Sequence, residues 1–419
     1  MNKIAYYRKK IYEQYANSEL PGAAATGEAL IAEYKSCLAN ESAAFADDLF
    51  NLARVYDDMG FTERAVMLYV ESANRVLGNT GESPAFALRL NNLAAVLSRQ
   101  GNAEAAYRMY GHAAAIARGN YKDKSPELAD AVYNLANAAA DIGNRDEAIR
   151  LHSEALGIRQ TAPSEDIVHS MHSLAFLYEE NKDYAKAVQY AAAAMDRASR
   201  AGKDTYFGAC YYLAELYSAD EKHSQSRPLY ESVLRWIEET EGRDHSAFIT
   251  VATRLAYSLA NLGAFKEALA LMYSIHESLR GKTGGDYICH AGCLRNLAIL
   301  HKQLNEPLKA EEMMLKSLKI KKRVLGNHTR EYIQDALFLI ELYTDSDRLD
   351  KALEMLVFLL MHQNDADKAE PVKELIRIFT KAGGTRLQAL LAELEKLNNP
   401  EILQVIMDDW DIWEAEEDQ

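Results

Sequence analysis

Proline and glycine are scarce in this chain, at eight and 21 of 419 residues. Folds made of many short strands need those residues at their turns, so the shortage argues against an all-β protein and for long helices. Long apolar runs are missing as well. With no run of about 18 apolar residues, no helix is expected to span a membrane. The opening residues, Met1-Asn2-Lys3-Ile4-Ala5-Tyr6-Tyr7-Arg8-Lys9-Lys10, hold neither an apolar core nor a small-residue cleavage site, unlike a secretory signal. The four cysteines, Cys37, Cys210, Cys289 and Cys293, make no disulfide framework and suit a reducing compartment, so a cytoplasmic protein is expected. Positive charge is in deficit, with 47 Lys and Arg against 62 Asp and Glu and a formal charge of −15. Such a chain repels a phosphate backbone on average, which disfavours nucleic acid as its main partner.

The sequence also lacks the marks of catalysis. Gly281-Lys282-Thr283-Gly284-Gly285 has neither the upstream glycine nor the strand that a phosphate loop requires. No Gly-x-Ser-x-Gly elbow and no His-Glu-x-x-His pair occurs, and no nucleophile, base and orienter stand at workable spacing. Cys289 and Cys293 share a helix face with His301 two turns on, but zinc needs four ligands and no second pair is recognisable. No enzyme, metal or cofactor is expected. The scattered carboxylates read as solvated helix faces.

What is present is a repeat. Hydrophobic residues make up 48% of the chain, enough for a large core. Asn51-Leu52-Ala53 is followed by Asn92-Leu93-Ala94, Asn134-Leu135-Ala136, Ser173-Leu174-Ala175, Tyr212-Leu213-Ala214, Arg254-Leu255-Ala256, Asn296-Leu297-Ala298 and Phe338-Leu339-Ile340, at steps of 39 to 42 residues. Fourteen residues past each of these first marks stands Ala65, Ala106, Ala148, Ala187, Ser226, Ala268, Ala310 or Ala352. Nine residues past the first marks stand Gly60, Gly101, Lys182, Gly143, Glu221, Gly263, Asn305 and Asp347, where Gly or Asn fits a left-handed helix cap. Leu52, Ala53 and Tyr56 fall on one face of a first helix, and Ala65, Leu68, Tyr69 and Ser72 on one face of a second. The small second mark lets the two helices approach. No hairpin alone covers its apolar stripe, so neighbours must stack.

The pattern Asn-Leu-Ala-x-x-Tyr-x-x-x-Gly-x-x-x-x-Ala resembles the tetratricopeptide repeat, whose usual unit is about 34 residues. The longer period and linkers such as Lys319-Ile320-Lys321-Lys322-Arg323-Val324-Leu325-Gly326-Asn327-His328 are similar to the kinesin light chain family. The resemblance implies an all-α fold, a right-handed superhelix of helical hairpins. It implies eight repeats over residues 46–362, capping helices over 1–45, a degenerate hairpin over 363–399 and an acidic capping helix and tail over 400–419. In the N-terminal cap, Ile4, Tyr7, Ile11 and Tyr15 form one stripe, and Ala29, Leu30, Tyr34 and Leu38 another after a break expected at Pro21-Gly22.

In such arrays the first helices line the inner surface. The residues one before, at and three after the first mark then point into a groove: Asn51 and Arg54; Asn91 and Asn92; Tyr133, Asn134 and Asn137; His172; Tyr211; Arg254 and Tyr257; Arg295 and Asn296. His169 lies one turn before His172. Amides donate and accept together and can hold a peptide backbone of any sequence. Arginine adds carboxylate recognition, and the tyrosines add apolar surface with a polar tip. In the kinesin light chain family such asparagines and arginines hold extended cargo peptides. That role carries by resemblance to Asn51, Asn92, Asn134 and Asn296 but not to Ser173 and Tyr212.

The expected function is therefore a scaffold that binds an extended peptide segment of a partner protein. A peptide-gated regulator that acts by closure of the superhelix is the alternative, although the N-terminal residues show no DNA-recognition helix. The tail offers a further candidate. Asp409-Trp410-Asp411 resembles the tryptophan-acidic motif that kinesin light chains recognise, so the tail is a candidate for self-association in its own groove or a second molecule's. Ile402, Ile406, Trp410 and Trp413 at helical spacing would equally serve as an end cap.

Overall fold

The computed structural model describes residues 3–36, 43–121, 125–161, 166–200, 202–280 and 286–362. Leu38, Cys37 and the expected hairpin and tail over 363–419 lie outside the described residues. Within them the chain is all α, with eighteen helices and no strand. None of these helices is long and apolar enough to cross a membrane.

The chain divides into two compact units, Met1–Leu216 and Tyr217–Gln419. The first holds five hairpins: α1 (Lys3–Ala16) with α2 (Leu20–Ser36), α3 (Ala43–Asp58) with α4 (Thr62–Thr80), α5 (Pro84–Arg99) with α6 (Ala103–Asn120), α7 (Pro126–Asp141) with α8 (Arg145–Arg159), and α9 (Ile167–Glu180) with α10 (Tyr184–Ala198). Helix α11 (Lys203–Ala219) runs over the boundary, its residues up to Leu216 belonging to the first unit. The second holds α12 (His223–Thr240), α13 (Ser246–Asn261) with α14 (Phe265–Leu279), α15 (Asp286–Gln303) with α16 (Pro307–Val324), and α17 (Arg330–Asp345) with α18 (Leu349–His362).

All eight third marks are left-handed, whatever residue occupies them. Gly60, Gly101, Gly143 and Gly263 have φ of 74–79°, and Lys182, Glu221, Asn305 and Asp347 have φ of 56–59°. At each turn the next backbone N–H bonds a carbonyl five residues back, as from Phe61 to Tyr56 at 2.9 Å and from Asp183 to Tyr178 at 2.9 Å. This is the Schellman closure, which satisfies carbonyls that the helix end would otherwise orphan. It requires a left-handed residue, and the fold imposes that shape on lysine, glutamate and aspartate too.

The eight second marks are all fully buried, Ser226 included. Ser226 Oγ lies 2.5 Å from Ser258 Oγ, so its burial leaves no unmet hydroxyl. The leucine after each first mark, from Leu52 to Leu339, is buried, as is the residue after that. Serine caps followed by proline start two first helices. Ser83 accepts from Phe86 N at 3.4 Å ahead of Pro84, and Ser125 from Leu128 N at 3.1 Å ahead of Pro126.

The position three before the first mark carries a buried polar node in four repeats. Asp48 accepts from Arg8 and from Tyr34 (2.7 Å), and Arg89 bonds Asp47 and Ser72. Ser170 accepts from Arg159 at 2.8 Å. Asp335, with no exposed surface, meets Lys321 at 2.7 Å, Arg295 at 2.8 Å and Ser317 at 2.6 Å. Each node joins a hairpin to its neighbour.

The N-terminal hairpin follows the same grammar, which its sequence conceals. Ser18 is left-handed at φ 61°, Glu19 N–H bonds Gln14 O at 2.8 Å, and Ala23 is fully buried. Ser18 and Ala23 stand 42 residues ahead of Gly60 and Ala65. The break expected at Pro21-Gly22 falls instead at Ser18. Both residues belong to the first turn of α2, where proline's missing N–H costs nothing.

Candidate functional site

Along each first helix, the first-mark residue and the residue three further on are exposed or half-buried and make up its outward side, while the two between them are buried. None of the sequence-predicted groove residues is fully buried; all are half-buried or exposed.

In the first unit, α1 and α3 enclose a cleft of about 600 Å³ lined by Arg8, Ile11, Tyr12 and Tyr15 on one side and Asp47, Asp48, Asn51 and Arg54 on the other. Arg54 lies over the Tyr15 ring, 5.6 Å from its centre. Asn134 donates a side-chain hydrogen bond of 2.9 Å to Asn91 Oδ1 and so joins neighbouring first helices. Asn92 is turned back on its own helix and donates to Leu88 O at 2.9 Å. Asn51 and Asn137 are exposed.

Tyr133 is held from three sides. Its hydroxyl sits 3.2 Å from Ser173 Oγ, the His152 ring meets it edge-on at 5.0 Å, and the Arg159 guanidinium lies 4.6 Å from its centre. Arg159 is itself fixed by Asp130 at 2.7 Å and by Ser170. His172 packs edge-on against Tyr212 at 5.8 Å, and Tyr212 donates to Glu179 at 3.0 Å. Burial, aided by His169, pushes the His172 pKa down, and its buried Nε2 has no hydrogen-bond partner within the structure. His169 itself is exposed, 3.6 Å from Asp166. Tyr211 is half-buried. The residue three past the fourth first mark, Phe176, is 54% exposed and was not picked out by sequence. The register that selected Asn137 and Tyr257 points to it equally.

In the second unit, a cleft of about 660 Å³ opens between α13 and α15 over the start and middle of α14. Arg254, Tyr257 and Asn296, all selected from the sequence, line it together with Phe265, Met272, Ile299, Leu300 and Gln303. Its lining includes one cation and no carboxylate. Tyr257 is 58% exposed and its ring meets His223 edge-on at 5.7 Å. Arg295 is directed elsewhere: its guanidinium binds Asp335, with Gln334 at 3.4 Å. The cleft thus offers an apolar floor, amides at its sides and a guanidinium at one wall, which can seat an extended backbone and one apolar side chain.

The two sequence segments 85–161 and 247–323 match the tetratricopeptide repeat model. No curated protein matches the chain. Among solved structures, the chain is similar to the nearly identical TPR-like repeats of a Podosopora anserina protein named as a kinesin light chain, at 20% identity over 46% of this chain and 95% of that one, with a TM-score of 0.43. It is similar to BtubC (BKLC) from P. vanneervenii at 19% identity, over 57% and 94% of the two chains, with a TM-score of 0.43. It is also similar to the apo form of RapI at 12% identity, over 67% and 98%, with a TM-score of 0.46. These likenesses say nothing about what the chain binds. With the repeat model matched in both units, and the same left-handed turn and buried small residue recurring between the matches, the chain carries tetratricopeptide repeats.

Proposed function

We propose that the protein is a non-catalytic scaffold that holds an extended peptide segment of a partner along the outward side of its first helices. The observation that supports this most is the cleft between α13 and α15, where Arg254, Tyr257 and Asn296 gather around an apolar floor. A tyrosine 58% exposed beside half-open apolar surface is costly to leave in water and gains by covering a ligand side chain. In the first unit Asn51, Asn137 and Phe176 offer the same pairing of amide and apolar surface.

The test is selection of random-sequence displayed peptides on the full chain, followed by affinity measurement on the Arg254→Ala and Tyr257→Ala variants. Both variants should fold as the parent does and bind the selected peptides at least about tenfold more weakly, the loss of a well-placed contact. Unchanged affinity in both would contradict the reading.

A further inference from the structure

His276 near the end of α14 faces His290 in the first turns of α15. Nδ1 of His276 and Nε2 of His290 are 2.9 Å apart, with ring centres 4.9 Å apart and planes inclined by 39°. Since α14 closes one hairpin and α15 opens the next, the pair spans two consecutive repeats. Both rings are half-buried. The Tyr273 and His276 rings meet edge to face, with centres 6.4 Å apart. The nearby charges are Glu277 on α14, Arg280 just past its end and Lys316 on α16. Arg280 lies 3.6 Å from Glu277, and Lys316 is paired with Glu312 at 2.6 Å.

A neutral imidazole is a common metal ligand. Two donors at about 2.0–2.1 Å from a metal, on adjacent corners of a square or octahedron, stand about 2.9 Å apart, whereas tetrahedral corners stand about 3.3 Å apart. The 2.9 Å between these nitrogens is the length of the N–H···N hydrogen bond that joins the rings, and it also equals the former spacing. We propose that His276 and His290 form a bidentate site for a late first-row transition metal ion, of the copper(II) or nickel(II) type. Among the described residues no third His, Cys, Asp or Glu stands close enough to join them, so the remaining positions belong to water or to a donor on a bound partner.

Burial is the main cause that lowers each pKa, and for His290 the neighbouring His276 adds to it. On binding, the ring that donates in the His–His bond carries its single proton on its other nitrogen. Two neutral rings then ligate with no net proton release. The ion would clamp α14 to α15 and stabilise the second unit by linkage.

The experiment titrates copper(II) and nickel(II) into the full chain, free of any affinity tag, with His276→Gln, His290→Gln and His169→Gln compared. The proposal expects one site per chain, a rise in thermal midpoint, and a loss of affinity of roughly tenfold or more in each of the first two variants. The third variant should bind as the parent does. Binding that survives both His276→Gln and His290→Gln overturns the proposal. Should either variant fail to fold, the copper(II) spin-resonance spectrum of the parent decides: coupling to two imidazole nitrogens supports the site, and fewer overturns it.

Discussion

Asn134 donates its side-chain amide to the side-chain oxygen of Asn91, 2.9 Å away on the preceding first helix. The two are linked across a surface that remains open to water. Such a ladder keeps spare capacity, since each amide carries four bonding sites and uses few of them internally. Replacing Asn134 and Asn137 together with Ala should therefore cost the fold only about 1 kcal/mol, the worth of one half-exposed hydrogen bond. Binding of a groove peptide should fall well beyond that. Urea unfolding and peptide affinity on the same variant check both halves.

The turns predict a gain and a loss of similar size. A non-glycine residue in the left-handed region costs about 1–2 kcal/mol. Lys182→Gly should stabilise by about 1 kcal/mol, and Gly143→Ala should destabilise by about as much. A Cβ at Gly143 would meet nothing within 4 Å, so the cost is one of backbone shape alone. Urea midpoints measure each.

Asp335 carries a larger share. It has no exposed surface and holds Lys321, itself 5% exposed, together with Arg295 and Ser317. Asp335→Ala leaves a buried ammonium without its partner, so the second unit should lose about 3–5 kcal/mol. Lys321→Met with Asp335→Ala should recover part of that, because the stranded charge is then gone. Circular dichroism during urea unfolding reads the difference.

His152 predicts the acid response. It is 1% exposed, and burial, with a smaller push from Arg159, lowers its pKa to about 4. Unfolded, it would titrate near 6.5. Because the folded value is the lower, protons favour the unfolded state. Stability is whole above about pH 6.5 and is lost as pH falls towards 4, by about 2 kcal/mol at pH 5. His152→Phe should remove this part of the pH dependence. A parallel loss in both proteins between pH 7 and pH 5 would contradict it.

Much of the fold was legible because the tightest constraints repeat. A small residue at the helix crossing and a left-handed turn admit few residue types, and Ala148 and Gly143 show them plainly. Where the chain tolerates a costlier residue, as at Lys182 or Ser18, spacing alone carries the signal, and in the N-terminal hairpin even the Asn-Leu-Ala mark is replaced by Lys9-Lys10-Ile11. His301 shows a different gap. It fills the tyrosine place of its repeat, buried, with Tyr273 of α14 at 2.8 Å and Glu306 ahead of α16 at 2.6 Å, and this arrangement cannot be read from one helix's periodicity. Register alone picks out Asn137 and Tyr257, which the structure leaves exposed. The ion pair of Arg295 with Asp335, and the meeting of His276 with His290, depend on long-range packing that spacing does not encode.

The central claim is that the outward side of the first helices is the binding surface. Photo-reactive residues placed singly at Asn137 and Tyr257, and as controls at Met67 and Leu308 on second helices, test it in the full chain, all four positions being exposed. The account predicts that each of the first two traps an extended stretch of a partner, mapped by mass spectrometry, which the control in the same unit, Met67 for Asn137 and Leu308 for Tyr257, does not trap. Trapping of such a stretch from Met67 or Leu308, with none from Asn137 and Tyr257, would contradict it.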